Sequence, residues 1–381
     1  MNLKKTLVAM AVAGFVAAPV ASYAAATLYG DVELGLASYG KTSSAGKSQT
    51  NFFDNGSRIG VKGSDALGNG LTSFYRIELG IDTVGSSTGN GTSPYSDTSS
   101  SVKTRLGYLG VKGAFGTAVG GRVNDLYYNF IESASDIENV TSSPLNPIGL
   151  ATSVVGNTSS GTYKGGTLDG YHSRVNAIAY VSPDLGGFTG GVAYGDVGTY
   201  NGTSNDPSGN SATGKQQGVW ELGGKYTFGP AYVSAGYVSI PKANVYLGSI
   251  KDVWGLGAGY TFGMFGIDAN YQQAKARKSA IDTNKSVQSF AVQGTVNVGA
   301  ITGYVQYSQL KWKYLSNKTA TRATVGAFYQ VSKPLQVTFE VSNDNKYASS
   351  GLLTETAFAT ANSGADPKAS TTVALGMNYG F

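Results

Sequence analysis

Four arginines recur along the first third of the chain, each in a short segment in which apolar and polar residues alternate. They are Arg58, Arg76, Arg105 and Arg122. Their apolar neighbours, such as Ile59 and Val61 beside the first of them, take the opposite parity, as in a β-strand with one apolar face. Neighbouring strands lie about 4.8 Å apart, so these arginines would form a row of permanent positive charges along one wall.

Other charged residues share the face of these arginines. Lys62 and Lys103 have the parity of Arg58 and Arg105, which predicts a basic wall built from several adjacent strands. A second interpretation is structural, because each arginine could pair with a nearby carboxylate and so hold the wall together. The carboxylates concerned are Asp31, Glu33 and Glu78. The residues alone leave both interpretations open.

A stretch at about 124–172 interrupts the alternation for longer than an ordinary connection, which is typical of functional or unstructured segments. Its acidic residues include Asp125, Glu132, Asp136 and Glu138. Apolar residues such as Leu126, Tyr127 and Phe130 need a surface to pack on. A segment that folds inward, with its carboxylates facing the basic wall, would provide such a surface. The alternative is a solvated acidic loop that lies outside the fold.

No constellation for catalysis or metal binding accompanies these charges. His172 is the single histidine, and the chain has no cysteine. A metal site needs several such ligands, and nothing in the spacing supports a serine activated by His172. The sequence therefore predicts no enzyme activity, no metal and no cofactor.

The N-terminus has the pattern of a cleaved export signal. Lys4 and Lys5 precede an apolar run, and small residues stand before Ala25. We predict that residues 1–24 are a signal peptide and that residues 25–381 form one domain. Without Lys4 and Lys5 the 28 basic residues become 26, against 23 acidic ones, so the chain lacks the basic excess typical of nucleic-acid-binding proteins.

The C-terminal stretch 371–381 has the clearest strand pattern. From Val373 to Phe381 the odd positions are apolar or aromatic, and the even positions are small or polar. Similar runs occur in pairs that are joined by short turns rich in Gly, Pro and Asn. Seven such turns make seven hairpins, and the first and last strands bring the count to sixteen. With long polar loops at the other end, this pattern predicts an all-β, 16-stranded antiparallel transmembrane β-barrel.

A soluble β-sandwich is the alternative fold, because it also alternates. Its apolar face would be a core of aliphatic side chains. Here many apolar positions near strand ends are aromatic, for example Tyr226, Phe262 and Tyr379, as in the aromatic girdles at a membrane surface. The opposite faces carry charges that stay hydrated in a wide lumen but not in a dry core.

Several ordered motifs along the mature chain resemble those of general diffusion porins of Gram-negative outer membranes, beta-proteobacterial type. They are ATLYGDVELGL, SRIGVKGSDALGNGL, TRLGYLGVKGAFGTAVGGR, RVNAIAYVSPDLGGF and the terminal NYGF. The resemblance implies a homotrimer in outer-membrane lipid and lipopolysaccharide, an inward third loop, and a C-terminal Phe381 that the barrel assembly machinery reads. It also implies a basic residue just after the loop, Arg174, although parity places Arg174 on the face of Ile178 and Tyr180.

Three functions are consistent with these features. The first is a diffusion channel for small hydrophilic solutes and ions. The second is a substrate-selective channel of the same fold, in which aromatic residues and loop acids guide one solute. The third belongs to a different class: a secreted β-protein or adhesin without a pore.

Overall fold

The computed structural model describes residues 26–41, 46–84, 102–133, 174–196, 218–240, 250–276, 286–312, 319–346 and 368–381. The predicted signal peptide, 1–24, lies outside these residues. Within the described ranges no helix is both long enough and apolar enough to cross a membrane.

Sixteen antiparallel strands make up the described fold. Their bounds are β1 Thr27–Tyr39, β2 in two segments Gln49–Asp54 and Arg58–Gly68, β3 Leu71–Ile81, β4 Val102–Gly113, β5 Gly116–Asn124, β6 Arg174–Val181, β7 Phe188–Asp196, β8 Val219–Phe228, β9 Ala231–Ser239, β10 Ile250–Phe262, β11 Phe265–Ala276, β12 Ser286–Val298, β13 Ile301–Trp312, β14 Thr319–Gln330, β15 Leu335–Asp344 and β16 Ser370–Gly380.

The two segments of β2 belong to one strand, since both pair with β1. Leu34 stands opposite Asp54 and Asp31 opposite Arg58, so β2 carries one extra residue between these pairs, which is a bulge. Gly56 adopts a φ of +118°, and Asp54 Oδ1 accepts hydrogen bonds from the backbone N–H of Gly56 at 2.8 Å and of Ser57 at 2.9 Å. The aspartate therefore stabilises the bulge.

Each strand pairs with its neighbours in the chain, and β1 pairs with β16, which closes the barrel. Tight turns join the hairpins at one end; Gly229, Gly263 and Gly299 adopt φ values of 57–60° there, which favour glycine. Because the barrel is closed, the backbone N–H and C=O groups of every strand can form hydrogen bonds to a neighbouring strand. A β-structure that spans a lipid bilayer must meet this condition. The predicted 16-stranded antiparallel barrel is confirmed.

The two faces of the barrel differ as the alternation predicts. On β16, Val373, Leu375, Met377 and Tyr379 are 41–54% exposed on the outer face, whereas Ala374 is buried on the inner face. Aromatic rings cluster on the outer face beside the short turns. The ring pairs are Tyr226–Phe228, Tyr260–Phe262 and Phe262–Phe265. Their position fits a belt at a membrane–water interface.

Candidate functional site

The inner face of β1–β4 carries a network of ion pairs. Arg58 Nε lies 2.7 Å from Asp31 Oδ2, and Arg58 Nη1 lies 2.9 Å from Glu33 Oε1. Asp31 and Glu33 come from β1 and Arg58 from β2, directly after the bulge. Arg58 therefore links β1 to β2 on the inner face of the barrel.

Glu78 on β3 is the centre of the same network. Its side chain is 2% exposed and contacts two arginines: Arg105 Nε donates to Oε1 at 2.8 Å, and Arg76 donates to Oε2. The Tyr29 hydroxyl also donates to Oε2, at 2.9 Å. A buried carboxylate with these charge-assisted hydrogen bonds is well compensated. The structural role that the sequence left open is thus present for Arg58, Arg76 and Arg105.

Lys62 differs from these arginines. No carboxylate of the described residues forms an ion pair with it. Its Nζ lies 5.1 Å from the centre of the Tyr29 ring, and the Arg76 guanidinium lies 4.8 Å from the same centre. The ring lies over Gly60, where a Cβ would overlap it. Lys62 is exposed, so it presents an uncompensated positive charge to the lumen.

A bulge in β4 turns Arg105 inward. Glu78 pairs with Leu106 and Leu79 with Thr104, so Arg105 is an extra residue in the ladder. The sequence pattern predicts that Leu106 and Tyr108 face outward. Instead Leu106 is buried, and Tyr108 packs against the apolar side chains inside the barrel. The positions that face outward are those that alternate with them, such as Leu109, which is 64% exposed. Lys103 is exposed, opposite Gly80.

Arg122 and Arg174 lie where β5 and β6 meet the long loop. Val119 packs inside the barrel, whereas the sequence pattern places it outside. Arg122, three positions later, therefore has the parity of the outer face and not of the inner face that the sequence predicts. The Arg122 guanidinium donates to the carbonyl oxygen of Thr104 at 3.2 Å. Arg174 lies within electrostatic range of Arg105, Arg122 and Glu78. Arg174 is therefore close to the network despite its parity.

The described start of the long loop, residues 125–133, lies inside the barrel; we call it the loop segment. It contains one π-helical turn, Tyr128–Glu132, with Ser133 N–H donating to Tyr128 O at 3.0 Å. Its apolar side chains pack on the inner faces of β8–β10, across the barrel from β2 and β3. Residues 134–173 lie outside the described residues, and the predicted Asp136 and Glu138 are among them.

Inner-face glycines form a seat for the loop segment. They are Gly223 on β8, Gly236 on β9 and Gly255 on β10. A Cβ at Gly236 would stand 2.9 Å from both Ile131 Cγ1 and Tyr127 Cδ2, and one at Gly255 would stand 2.8 Å from Ile131 Cγ2. Real Cβ atoms do not approach so closely. The absence of side chains therefore lets the helical turn lie directly on the wall.

Two polar side chains fasten the loop segment to this seat. The Tyr127 hydroxyl donates to Gln272 Oε1 on β11 at 3.1 Å. Glu221 Oε2 on β8 accepts hydrogen bonds from the N–H groups of Leu126 at 3.1 Å and of Tyr127 at 3.3 Å. Since the first N–H groups of a helical turn have no partner within the helix, Glu221 supplies the acceptor that they need.

The acids of the loop segment are not arranged as the sequence predicts. Asp125 is 1% exposed and its Oδ1 accepts from Tyr128 N–H at 2.7 Å, as a helix N-cap does. Glu132 is also buried. Neither side chain lines a water-filled space. Through its hydrogen bond to Tyr128, Asp125 instead takes part in anchoring the loop segment. The sequence argument missed Glu221, Gln272 and the glycine seat, because nothing local marks them as partners of residues more than 90 positions away.

Comparison with known proteins gives one family and several relatives. Residues 6–349 match the family described as Gram-negative porin. The chain is similar to major outer membrane protein P.IB of Neisseria gonorrhoeae, with 31% identity over 204 residues, 50% of this chain and 48% of that protein. The protein of the same name from Neisseria lactamica is 30% identical over 199 residues, 50% of each chain. The chain thus matches about half the length of these curated relatives.

The barrel is shared by solved porin structures. An anion-selective porin from Comamonas acidovorans has a TM-score of 0.68 at 20% identity, with 94% of this chain and 100% of that one covered. OmpF of Salmonella typhi, in complex with daunomycin, has a TM-score of 0.64 at 19% identity, with 94% and 98% covered. At these identities the likeness concerns the fold alone.

Proposed function

The chain belongs to the Gram-negative porin family, and from this premise we propose that it forms a water-filled channel in the outer membrane for small hydrophilic solutes and ions. One observation carries the proposal: a closed barrel of sixteen strands has ion-paired charges on its inner face and apolar side chains on its outer face. Barrels of about sixteen to eighteen strands enclose an aqueous channel.

The loop segment narrows this channel. It occupies the inner face of β8–β10, so solutes pass between it and the charged wall of β1–β4. Charged groups that line a narrow passage sort ions by sign. Wall and loop segment therefore act together as the selective part of the pore.

We further propose a preference for anions. On β1–β3 and the bulge of β4, the four cations Arg58, Lys62, Arg76 and Arg105 stand against three carboxylates, Asp31, Glu33 and Glu78, an excess of one. Lys62 is that excess, and the loop acids Asp125 and Glu132 are buried in the loop segment, which packs on β8–β10 rather than on this wall. The similar Comamonas protein, named as an anion-selective porin, agrees in sign.

The setting of this channel is also proposed. Residues 1–24 direct export and are cleaved, and residues 25–381 assemble as a homotrimer in outer-membrane lipid and lipopolysaccharide. Phe381 serves as the signal for the barrel assembly machinery. A trimer form is named for OmpT of Vibrio cholerae, which shares the fold.

Planar-bilayer recording tests the function directly. Purified protein should insert as discrete conductance steps, and in a salt gradient the zero-current potential should have the sign of anion preference. A potential of the opposite sign would refute the selectivity, and liposomes that stay impermeable to small sugars would refute the channel. A solute that blocks the current at low concentration would instead favour a substrate-selective channel.

A further inference from the structure

Two buried carboxyl groups meet where the loop segment is anchored. Glu221 Oε2 accepts from two backbone N–H groups, those of Leu126 and Tyr127, and Asp125 Oδ1 accepts from that of Tyr128. Glu221 is fully buried and Asp125 is 1% exposed. One oxygen of each carboxyl group is thus occupied by the backbone of the loop segment.

The second oxygen of each group has no such donor. Among the described residues no N–H or O–H group donates to Asp125 Oδ2 or to Glu221 Oε1, although both atoms are buried. The two side chains lie within hydrogen-bonding range of each other. Two ionised carboxylates cannot donate, and a buried oxygen without a donor costs about 1–3 kcal/mol. A single proton between the two groups satisfies both oxygens.

The surroundings of the pair favour this proton. Ala193 on β7 and Val238 on β9 stand opposite Glu221, and both are apolar. No lysine or arginine of the described residues forms an ion pair with either acid. The other titratable groups that face the pair belong to the loop segment: the buried Glu132 and the phenol of Tyr127, whose pKa burial raises, so that the phenol stays neutral.

We propose that Asp125 and Glu221 share one proton, and that as positioning residues they clamp the loop segment to the wall and so couple the width of the pore to pH. The proposal rests on the proposed channel function. Carboxyl pairs that share a proton occur where two acids cannot both ionise at close range. Here the pair holds a structural element in the lumen.

The direction of the pH effect follows from Asp125. Burial, followed by the charge of Glu221, raises the pKa of Asp125 well above the usual range. A group whose folded-state pKa is raised stabilises the folded arrangement fully below its unfolded pKa, and this contribution is lost as pH rises through the raised value. The clamp is therefore closed at lower pH and loosens toward alkaline pH, when both groups carry charge.

Single-channel recording over a pH series tests the clamp. Wild-type channels should show a step toward higher conductance and open-channel noise as the pH rises. In Glu221→Gln the amide can donate to Asp125 Oδ2 while its oxygen still accepts from the backbone, so the clamp stays closed without a titrating proton. The pH step should be lost in this variant and in Asp125→Asn.

Glu340→Gln is the matched control. Glu340 is a fully buried carboxylate on the inner face of β15 that accepts from the Tyr304 hydroxyl at 2.7 Å and lies on strands that do not hold the loop segment. This variant should keep the step. A step that persists in both Glu221→Gln and Asp125→Asn, or a wild type without any step, would overturn the coupling to pore width.

Infrared difference spectra of the folded protein test the shared proton without any channel recording. The carbonyl band of a protonated, buried carboxylic acid should be present in the wild type and in Glu340→Gln. In Glu221→Gln and in Asp125→Asn, the part of this carbonyl band that arises from the shared proton should be absent. Spectra unchanged by both substitutions would refute the shared proton. If the wild type gave this band but no conductance, the channel function would fail while the proton assignment stood.

Discussion

The ring of Phe381 lies directly over Gly30, on the outer surface at the seam where the barrel closes. Gly30 N–H donates to Phe381 O at 3.0 Å, and Phe381 N–H donates to Gly30 O at 2.9 Å. A Cβ on Gly30 would overlap the ring and would stand 2.7 Å from the carbonyl oxygen of Arg58. The last residue of the chain therefore fits the first strand only because that position is glycine.

Gly30→Ala should impair closure of the barrel. The added methyl displaces both the Phe381 ring and the backbone of β2, and such overpacking costs about 1–3 kcal/mol. The heat-modifiable, SDS-resistant form should fall in amount and unfold at lower temperature in semi-native electrophoresis. Gly120→Ala is the control, since its Cβ would meet only Ile178 Cγ1 at 4.0 Å. Equal effects of both alanines would contradict the specific role of Gly30.

Phe381→Asp should reduce the assembled protein further than Gly30→Ala does. The substitution places a charge at the exposed rim beside Gly30 and removes the proposed assembly signal. Export should continue, so immunoblots of the periplasmic fraction should show mature, unassembled chain. Normal amounts of assembled protein in the outer membrane would argue against the signal.

Gly236→Ala should shift the loop segment toward the centre of the lumen. The new methyl contacts Ile131 and Tyr127, which must move by a fraction of an ångström or more, while the barrel ladder stays intact. We expect a lower single-channel conductance with unchanged electrophoretic stability. Gly294→Ala is the control. Its methyl would meet only Val305 Cγ2, at an ordinary contact distance of 3.4 Å, so this variant should conduct as the wild type does. An unchanged conductance in Gly236→Ala would mean that the seat does not set the pore width.

Tyr127→Phe tests the polar part of the same anchor. It removes the hydrogen bond to Gln272, worth about 0.5–1.5 kcal/mol, and keeps the buried ring. Tyr127→Ala also removes the ring, at a cost of about 3–5 kcal/mol. Protection of the loop-segment amides in hydrogen exchange should fall slightly in the first variant and strongly in the second. Equal protection in both would indicate that the loop segment is held elsewhere.

The sequence predicts the barrel because its period is local. Alternation in a stretch such as 371–381, with glycine turns such as Gly263, needs no knowledge of distant contacts. The inward placement of Arg58 follows for the same reason. Arg105 also points inward, but for a different reason from the predicted one. A bulge in β4, and not simple alternation, orients its side chain. Bulges leave little trace in a single sequence.

The site depends on contacts that no local pattern contains. Glu221 is separated from Tyr127 by 94 positions and Gln272 by 145, yet both hold the loop segment. Gly223 and Gly236 read as ordinary strand glycines until the loop segment is placed on them. Asp125 has the sequence character of a solvated acid, and only its burial beside Glu221 reveals its part in the anchor.

The charge of Lys62 provides the sharpest test of ion selectivity. Replacing Arg58 would leave the carboxylates of Asp31 and Glu33 uncompensated and would perturb the wall, whereas Lys62 has only the Tyr29 ring as partner among the described residues. Lys62→Gln therefore removes one positive charge with little structural cost. The zero-current potential in a salt gradient should move toward cation preference, and less so at high salt, because screening acts over about 8 Å at physiological ionic strength.

Arg322→Gln is the matched control for Lys62→Gln. Arg322 lies near the loop end of β14 and makes two contacts with Asp344, at 2.7 and 2.9 Å, away from the network of β1–β4. Both substitutions remove one positive charge from the inner side of the barrel. If the position of the charge decides selectivity, the shift from Lys62→Gln should be clearly the larger. Equal shifts would mean that the channel responds to its total charge, and that the wall of β1–β4 is not where ions are sorted.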